Sequence, residues 1–343
     1  MRRAINKIIS GILTAVMIFG AAAAGTSGPV RVQAAENKAF AAPIELNGAT
    51  FETDGWWDFA TRMNVDLGEV TEISDSYTYS NTIYVPKAVF EKGYMQEGHP
   101  QVRMETWIDL NDGDKYLGSI NSKYLVLIVH DGGETFMVVH DEEEDKELTE
   151  AEYSKFVTLS ESGDFFKVVF KDMPYRSSYY AADEDEKSEP VSSIDTSGNQ
   201  CHINVVTSVN AWDVKLSSIV YIDDLSIKAN ENVVYTTDFS AASLYDRYYD
   251  YTIGEKTTER PQLVNLDLNL LKLSKTSANI KVGKSVKMKA TAAANAKITY
   301  QSSNKKIATV TSKGVVKGKK AGKATIKVTA NGISKSFKVT VKK

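Results

Sequence analysis

In the stretch RMETWIDL (residues 103–110), Arg103, Glu105, Trp107 and Asp109 alternate with Met104, Thr106, Ile108 and Leu110. In a β-strand, alternation sends the two sets to opposite faces. One face is apolar. The other holds an aromatic ring among a cation and two carboxylates. This grouping suits a sugar polymer, because the indole covers the apolar side of a pyranose while charged groups take its hydroxyls. A solvated strand with one exposed tryptophan gives the same pattern, so both readings stand at this point. Trp212, beside Asn210 and Asp213, is the next ligand-binding candidate, and Tyr77, Tyr79, Tyr179 and Tyr180 are weaker ones.

A second grouping joins two distant stretches, NGATFETDGWW (47–57) and IVYIDDLSIK (219–228). Neighbours on a strand face opposite ways, so Trp56 and Trp57 cannot both be core or both be platform unless the chain turns at Gly55. Read as an unbroken strand, the later stretch places Asp223 on one face with Ile219, Tyr221, Leu225 and Ile227. Asp224 then goes with Ser226 and Lys228. A carboxylate on an apolar face must be paired or coordinated. A basic residue or backbone amide would do this, and so would calcium, which takes six to eight oxygen ligands.

Catalytic constellations are weaker. Glycoside hydrolysis needs two carboxylates at a fixed separation, and 44 acidic residues hide any such pair. There is no Glu-x-Asp-x-x-Glu, no Gly-x-Ser-x-Gly and no phosphate loop. His99, His130, His140 and His202 show no metal-ligand spacing. No catalytic residue is assigned.

These groups have to be positioned by a chain of 343 residues, long enough for two or three domains. Arg2, Arg3 and Lys7 precede an apolar run over residues 8–24, and Val32, Gln33 and Ala34 offer a cleavage site, so residues 1–34 read as a signal peptide. The run is short for a membrane span and is broken by Gly11 and Gly20. No later stretch approaches the roughly 20 apolar residues a spanning helix needs, so no transmembrane anchor is expected. Cys201 is the only cysteine, which excludes a disulfide framework. The expected location is secreted, with cell-wall association as a further expectation.

Residues 268–343 hold nineteen lysines and no acid, whereas residues 35–267 hold 18 basic and all 44 acidic residues, a net charge of −26. Two modules of opposite sign share the chain. Lysine on strand faces guards against edge-to-edge aggregation. A complete lack of acid goes further and favours polyanions, with anionic cell-wall polymers the nearest candidates. Little aromatic interleaving argues against nucleic acid. The acidic runs 141–152 and 183–189 read as solvated loops.

From about residue 44 to 228, short apolar and aromatic runs alternate with turn residues. KYLVLIVHDGGETFMVVH (123–140) reads as a hairpin around Asp131, Gly132 and Gly133. FFKVVF (165–170) and CHINVV (201–206) read as further strands. The pattern implies an all-β chain, a sandwich without helices.

Two resemblances refine this. YQSSNKKIATVTSKGVVKGKKAGKATIKV (300–328) resembles the group 2 bacterial immunoglobulin-like domain through Ser302, Ser303, Asn304, Ala308, Thr309, Val310, Gly314, Val315, Val316, Gly318, Gly322, Ala324, Thr325 and Ile326. Tyr300 stands where that family usually has tryptophan. The resemblance implies a small β-sandwich of bacterial surface and secreted proteins over residues 267–343. Independently, Val286, Met288 and Ala290 alternate with Lys287 and Lys289. Residues 35–229 resemble jelly-roll carbohydrate-binding modules at their two ends, in Asn47, Gly48, Phe51, Glu52, Gly55 and Trp56 or Trp57, and in Tyr221, Ile222, Asp223, Asp224 and Leu225. That resemblance implies a structural calcium held by Glu52, Asp223 and Asp224.

The expected architecture is a jelly-roll β-sandwich (35–229), a tyrosine-rich linker or docking segment (230–266) and a small immunoglobulin-like β-sandwich (267–343). The expected function is non-catalytic polysaccharide binding, with plant β-glucan or mannan as the polymer. The alternatives are a surface adhesin with a protein partner and a jelly-roll polysaccharide-degrading enzyme.

Overall fold

The computed structural model describes residues 38–45, 60–70, 74, 76–90, 101–112, 115–181, 190–191, 201–212, 217–237, 262–293 and 296–343. Residues 1–34, Glu52, Trp56, Trp57 and the acidic run 183–189 lie outside the described residues.

Period-2 patterning becomes strand along almost the whole described chain. In order, the strands are β1 (Lys38–Glu45), β2 (Ala60–Val70), β3 (Tyr77–Pro86), β4 (Gln101–Asp112), β5 (Lys115–Asn121), β6 (Tyr124–Asp131), β7 (Glu134–Asp141) and β8 (Lys146–Glu147). There follow β9 (Val157–Ser162), β10 (Phe165–Pro174), β11 (Tyr179–Ala181), β12 (Pro190–Val191), β13 (Cys201–Trp212), β14 (Ser217–Ala229), β15 (Asn232–Thr237) and β16 (Gln262–Asn265). They form two sheets. The first runs β16-β1-β14-β3-β10-β9, with β15 also on β14. The second runs β12-β11-β5-β4-β6-β7-β8, with β13 joining β4 to β2.

The two sheets share one core. From the first sheet come Tyr79, Val85, Phe170, Val220 and Ile222, and from the second Met104, Ile108, Ile128, Val205 and Val209, all buried. The expected hairpin is β6–β7, turning at Gly132 and Gly133 with φ of 59° and 86°. FFKVVF and CHINVV open β10 and β13. Tyr77 and Tyr79, considered for binding, are core residues instead. The segment 230–266 contributes two strands, β15 on β14 and β16 on β1.

Strand β14 departs from simple alternation. Val220 and Ile222 point into the inter-sheet core, while Ile219 and Tyr221 face outward. Asp224 then sits at φ 51°, and the pairing with β3 skips it, so that Asp223 faces Thr82 and Leu225 faces Asn81. This β-bulge shifts the parity. Leu225 and Ile227 enter the core with Val220 and Ile222, not with Ile219, Tyr221 and Asp223. The unbroken-strand reading of Asp223 is thereby corrected: it belongs to the outward face.

That outward face is also covered. Ile219, Tyr221, Tyr84 and Phe165 form a second apolar cluster with Leu266, Leu268, Leu270, Ala293 and Ile333. The ring centroids of Phe165 and Tyr221 are 5.3 Å apart, and Tyr84 meets Phe165 edge-on at 6.4 Å. The leucines alternate in LDLNL (266–270), which crosses toward the β9–β10 turn as an extended strap. There the Asp164 amide donates to the Leu268 carbonyl at 2.9 Å, and the Leu270 amide donates to Asp164 Oδ2 at 2.8 Å. Asn331 Nδ2 donates to the carbonyls of Leu270 and Ala293.

The strap leads into the C-terminal module, made of β17 (Leu271–Leu273), β18 (Ser277–Lys281), β19 (Ser285–Lys287), β20 (Ala290–Ala292), β21 (Thr299–Ser302), β22 (Ala308–Val310), β23 (Val315–Gly318), β24 (Gly322–Ala330) and β25 (Ile333–Lys342). Sheets β18-β25-β24-β21 and β19-β23-β22, with the pair β17-β20, enclose Met288, Val316, Ile326, Val328, Phe337 and Val339. Met288 is buried between exposed Lys287 and Lys289, as the alternation implied, and Tyr300 packs against this core. A larger sandwich followed by a smaller immunoglobulin-like one is the architecture expected. Among the described residues no helix is long and apolar enough to cross a membrane.

Gly163 has φ 60°, and a Cβ there would lie 2.4 Å from the Leu268 carbonyl oxygen. Gly163→Ala should therefore lower unfolding stability by about 2 kcal/mol or more, from backbone strain and clash together. Gly132→Ala, with φ 59° and open space around it, should lose only the strain component, about 1 kcal/mol. Urea unfolding of both variants separates the two.

Burial, with the charges of Asp223 and Asp224 adding to it, pushes the Tyr84 hydroxyl up to about 12. Burial and Asp267 push Tyr221 up to about 12 as well. Both exceed the ordinary value of 10.0, so their stabilising contribution is complete below pH 10.0 and is lost as pH rises toward 12. The urea midpoint should fall across that window, and the Tyr84→Phe, Tyr221→Phe double variant should fall less.

Candidate ligand face

The outer face of the first sheet is taken up by the joint around β3, β10 and β14, so the outer face of the second sheet is the place to look for a ligand. Its centre is β4. Val102, Met104, Thr106, Ile108 and Leu110 are buried inward, and Arg103, Glu105, Trp107 and Asp109 are half-buried on the opposite side. The alternation of RMETWIDL is thus realised. β13 flanks β4 along its full length, with Asn204 opposite Asp109, Val206 opposite Trp107, Ser208 opposite Glu105 and Asn210 opposite Arg103. On the other side Asn121 lies opposite Trp107, and Ser119 opposite Asp109.

The polar groups around Trp107 are held in place. Arg103 pairs with Glu105 on its own strand, and its guanidinium also lies 3.7 Å from Glu142. Glu142 pairs in turn with Arg176, which donates to the Tyr180 hydroxyl and sits 5.4 Å from that ring's centroid. The Arg176 amide donates to the Asn121 carbonyl at 2.8 Å, tying this group to the β5 end beside Trp107.

The turn that supplies Glu142 is built by Asp141, which is 2% exposed. Asp141 Oδ1 accepts the amides of Glu143 and Glu144 at 3.0 and 3.1 Å. Lys123 Nζ lies 3.7 Å from Asp141 and 3.3 Å from Glu143. Burial pulls the Lys123 pKa down, but Glu143 and Asp141 outweigh it and hold the group above its ordinary value. Glu143 also accepts the Ser177 amide at 2.9 Å.

Residues 141–143 are therefore structural, which corrects the reading of the run 141–152 as a solvated loop. Its remainder is exposed except for Leu148, which is buried in the core, and residues Glu150–Tyr153 form one helical turn closed by a Thr149–Glu152 capping box. Glu142 and Arg176 were missed as members of the face. The available signal was that the run begins directly at the end of an apolar strand, where its first carboxylate must find a partner.

The other candidates lie away from Trp107, although Trp212 stands two residues beyond Asn210, the position opposite Arg103. Trp212 ends β13 opposite Gln101, six residues from Val206, the position facing Trp107. At 3.4 Å per residue this places it about 20 Å along the sheet. Asp223 is buried, Asp224 is exposed, and both stand near Tyr84 on the outer side of the first sheet. Asp223 Oδ1 accepts the Asp224 amide at 3.0 Å. Glu52, their expected partner, lies outside the described residues. No group of three or more His, Cys, Asp or Glu side chains among the described residues could hold a metal ion.

Comparison with known proteins bears on the C-terminal module. Residues 270–341 match the family model of the bacterial Ig-like domain (group 2). This Ig-like domain accounts for the strands from β17 onward. Comparison with curated proteins gives no match. Two solved structures are similar at low level. Invasin, a bacterial integrin-binding protein, shares 10% identity at a TM-score of 0.23, over 76% of this chain and 59% of that one. Domains 1–6 of the surface layer protein SbsC share 11% identity at a TM-score of 0.21, over 77% of this chain and 52% of that one. The chain thus spans between half and three fifths of these two, and similarity this low carries no argument about fold or function. The jelly-roll carbohydrate-binding resemblance of the central region finds no support in these comparisons.

Proposed function

We propose that the protein is a surface or extracellular bacterial protein of adhesin type, and that its larger sandwich binds a polysaccharide without turning it over. The observation that carries this reading is Trp107, half-buried on the outer face of β4 between Glu105 and Asp109, with the nearby charges of Arg103, Glu105, Glu142 and Arg176 engaged with one another. A ring held in that way covers a pyranose at little entropic cost. Arg103, Glu105 and Asp109 take hydroxyls on either side. The carboxylates Glu105 and Glu142 are engaged by guanidinium groups, an arrangement suited to holding a ligand. The net charge of −26 on residues 35–267 disfavours anionic polymers on this face and favours a neutral one such as β-glucan or mannan. The Ig-like domain, with its lysines, would associate with the cell surface.

Affinity electrophoresis in gels carrying β-glucan, mannan, xylan or pectin tests the reading. One neutral polymer should retard the protein, and Trp107→Ala should abolish the retardation, a loss of roughly 2 kcal/mol or more. Trp212→Ala should change it little. Release of new reducing ends or unsaturated sugars would make the sandwich an enzyme. Absence of retardation by every polymer would turn the reading toward an adhesin for a protein partner.

Calcium belongs to the same proposal. Asp223 and Asp224 would supply carboxylates and Glu52 a third, with the ion tying the early segment to β14. Millimolar calcium should raise the thermal midpoint by roughly 4 °C or more over protein in a chelator, and Asp223→Asn should remove the shift. Equal midpoints with and without calcium would leave Asp223 as a carboxylate satisfied by backbone amides.

A further inference from the structure

The nineteen lysines of residues 268–343 are accompanied by no arginine and no acid. Part of this set is ordered by the sheet β18-β25-β24-β21. Inward on its two central strands lie Ala324, Ile326, Val328, Phe337, Val339 and Val341. Outward lie Lys323 and Lys327 on β24, Lys338 and Lys342 on β25, and Lys281 on the neighbouring β18, all exposed.

The register makes these five a continuous row. Lys281 is directly opposite Lys342. Lys323 pairs with Thr340, which makes Lys342 and Lys338 its two diagonal neighbours. Lys327 pairs with Ser336 and so has Lys338 on its diagonal. Steps of about 5 to 8 Å therefore link Lys281, Lys342, Lys323, Lys338 and Lys327. None of the five has an ion-pair partner among the described residues. Hydroxyls of Thr325, Ser336 and Thr340 lie between them on the same outer face.

Aggregation defence does not account for this row, because Lys327 and Lys338 are flanked by strands on both sides, where there is no edge to protect. Like charges set directly opposite one another destabilise a sheet, and the Lys281–Lys342 pair has no internal relief. A bound anion would supply it. The outward positions of this sheet hold no aromatic residue, so neither nucleobases nor sugar rings are recognised by stacking. Without arginine there is no bidentate fork for carboxylates, whereas lysine serves phosphate as a point charge. The joint with the larger sandwich uses Leu270, Ala293 and Ile333, and not this row.

We propose that the outer face of sheet β18-β25-β24-β21 is a docking site for an extended phosphodiester polymer without bases, laid along Lys281, Lys342, Lys323, Lys338 and Lys327. The proposal rests on the surface-associating role given above to the Ig-like domain and names its site and ligand chemistry.

The test uses the mature protein and poly(glycerol phosphate), with polygalacturonate as a carboxylate comparator and single-stranded DNA as a base-bearing one. One variant changes the five row lysines to Gln. A control changes Lys287, Lys305, Lys306, Lys313 and Lys317 to Gln, an equal loss of charge on exposed positions elsewhere. At about 0.1 M salt the row variant should lose roughly 30-fold or more in affinity for poly(glycerol phosphate) and the control less than about 3-fold. The slope of log K against log salt should become shallower by about 3 in the row variant.

Equal losses in the two variants would overturn the proposal in favour of diffuse attraction. Equal or tighter binding of polygalacturonate or DNA would overturn its ligand assignment. Retained urea midpoints show that both variants are folded, and the row variant should be no less stable than the parent, having lost a repulsive pair. Trp107→Ala should leave phosphodiester binding unchanged, so the glycan reading and this one fail separately.

Discussion

Where β3, β10 and β14 run side by side, the first sheet is buried on both faces. On one side Val220 and Ile222 complete the sandwich core, and on the other Ile219 and Tyr221 lie under the leucine strap. Most of the described architecture depends on that double burial. A free antiparallel sheet would carry polar residues on its outer side, and this one instead presents Tyr84, Phe165 and Tyr221, which need a cover. The strap and the Ig-like domain provide it. The Asp164 carboxylate and amide fix where the strap crosses, so apolar burial sets the strength of the joint and hydrogen bonds set its register.

The same constraint explains what was and was not legible in the amino-acid sequence. β4 could be read correctly from RMETWIDL because one of its faces is core and the other faces solvent, the condition under which alternation carries information. β14 could not. Burial on both faces removes the polar contrast, and the extra residue at Asp224 reverses parity midway. A left-handed aspartate leaves no mark on hydropathy. The C-terminal sandwich was legible for the reason β4 was, with lysine, serine and threonine marking the outside at every second position of β24 and β25. The partnership of Glu142 with Arg103 and Arg176 was hidden differently. It joins residues 34 to 39 positions apart through a turn whose acidic composition resembles solvated loop. Composition averages over such a run, while structure selects its first members.

Charge is divided along the same line as architecture. The larger sandwich carries the excess of acid, and Arg103, Arg176 and Lys123 are among the cations that tie its carboxylates down. The Ig-like domain carries cations alone. A molecule arranged in this way disfavours anionic polymers with one half and cationic ones with the other. The two halves are joined by packed side chains, so the orientation of one face fixes that of the other.

The first and last strands of the four-stranded sheet, β18 and β25, run parallel and are paired from Ser277 with Lys338 to Lys281 with Lys342. A pull between residues 277 and 342 would draw those strands past each other lengthwise. The load would fall on all five register pairs together, in shear, instead of opening them one after another like a zip. The Ig-like domain is therefore built to resist a pull applied across these two strands.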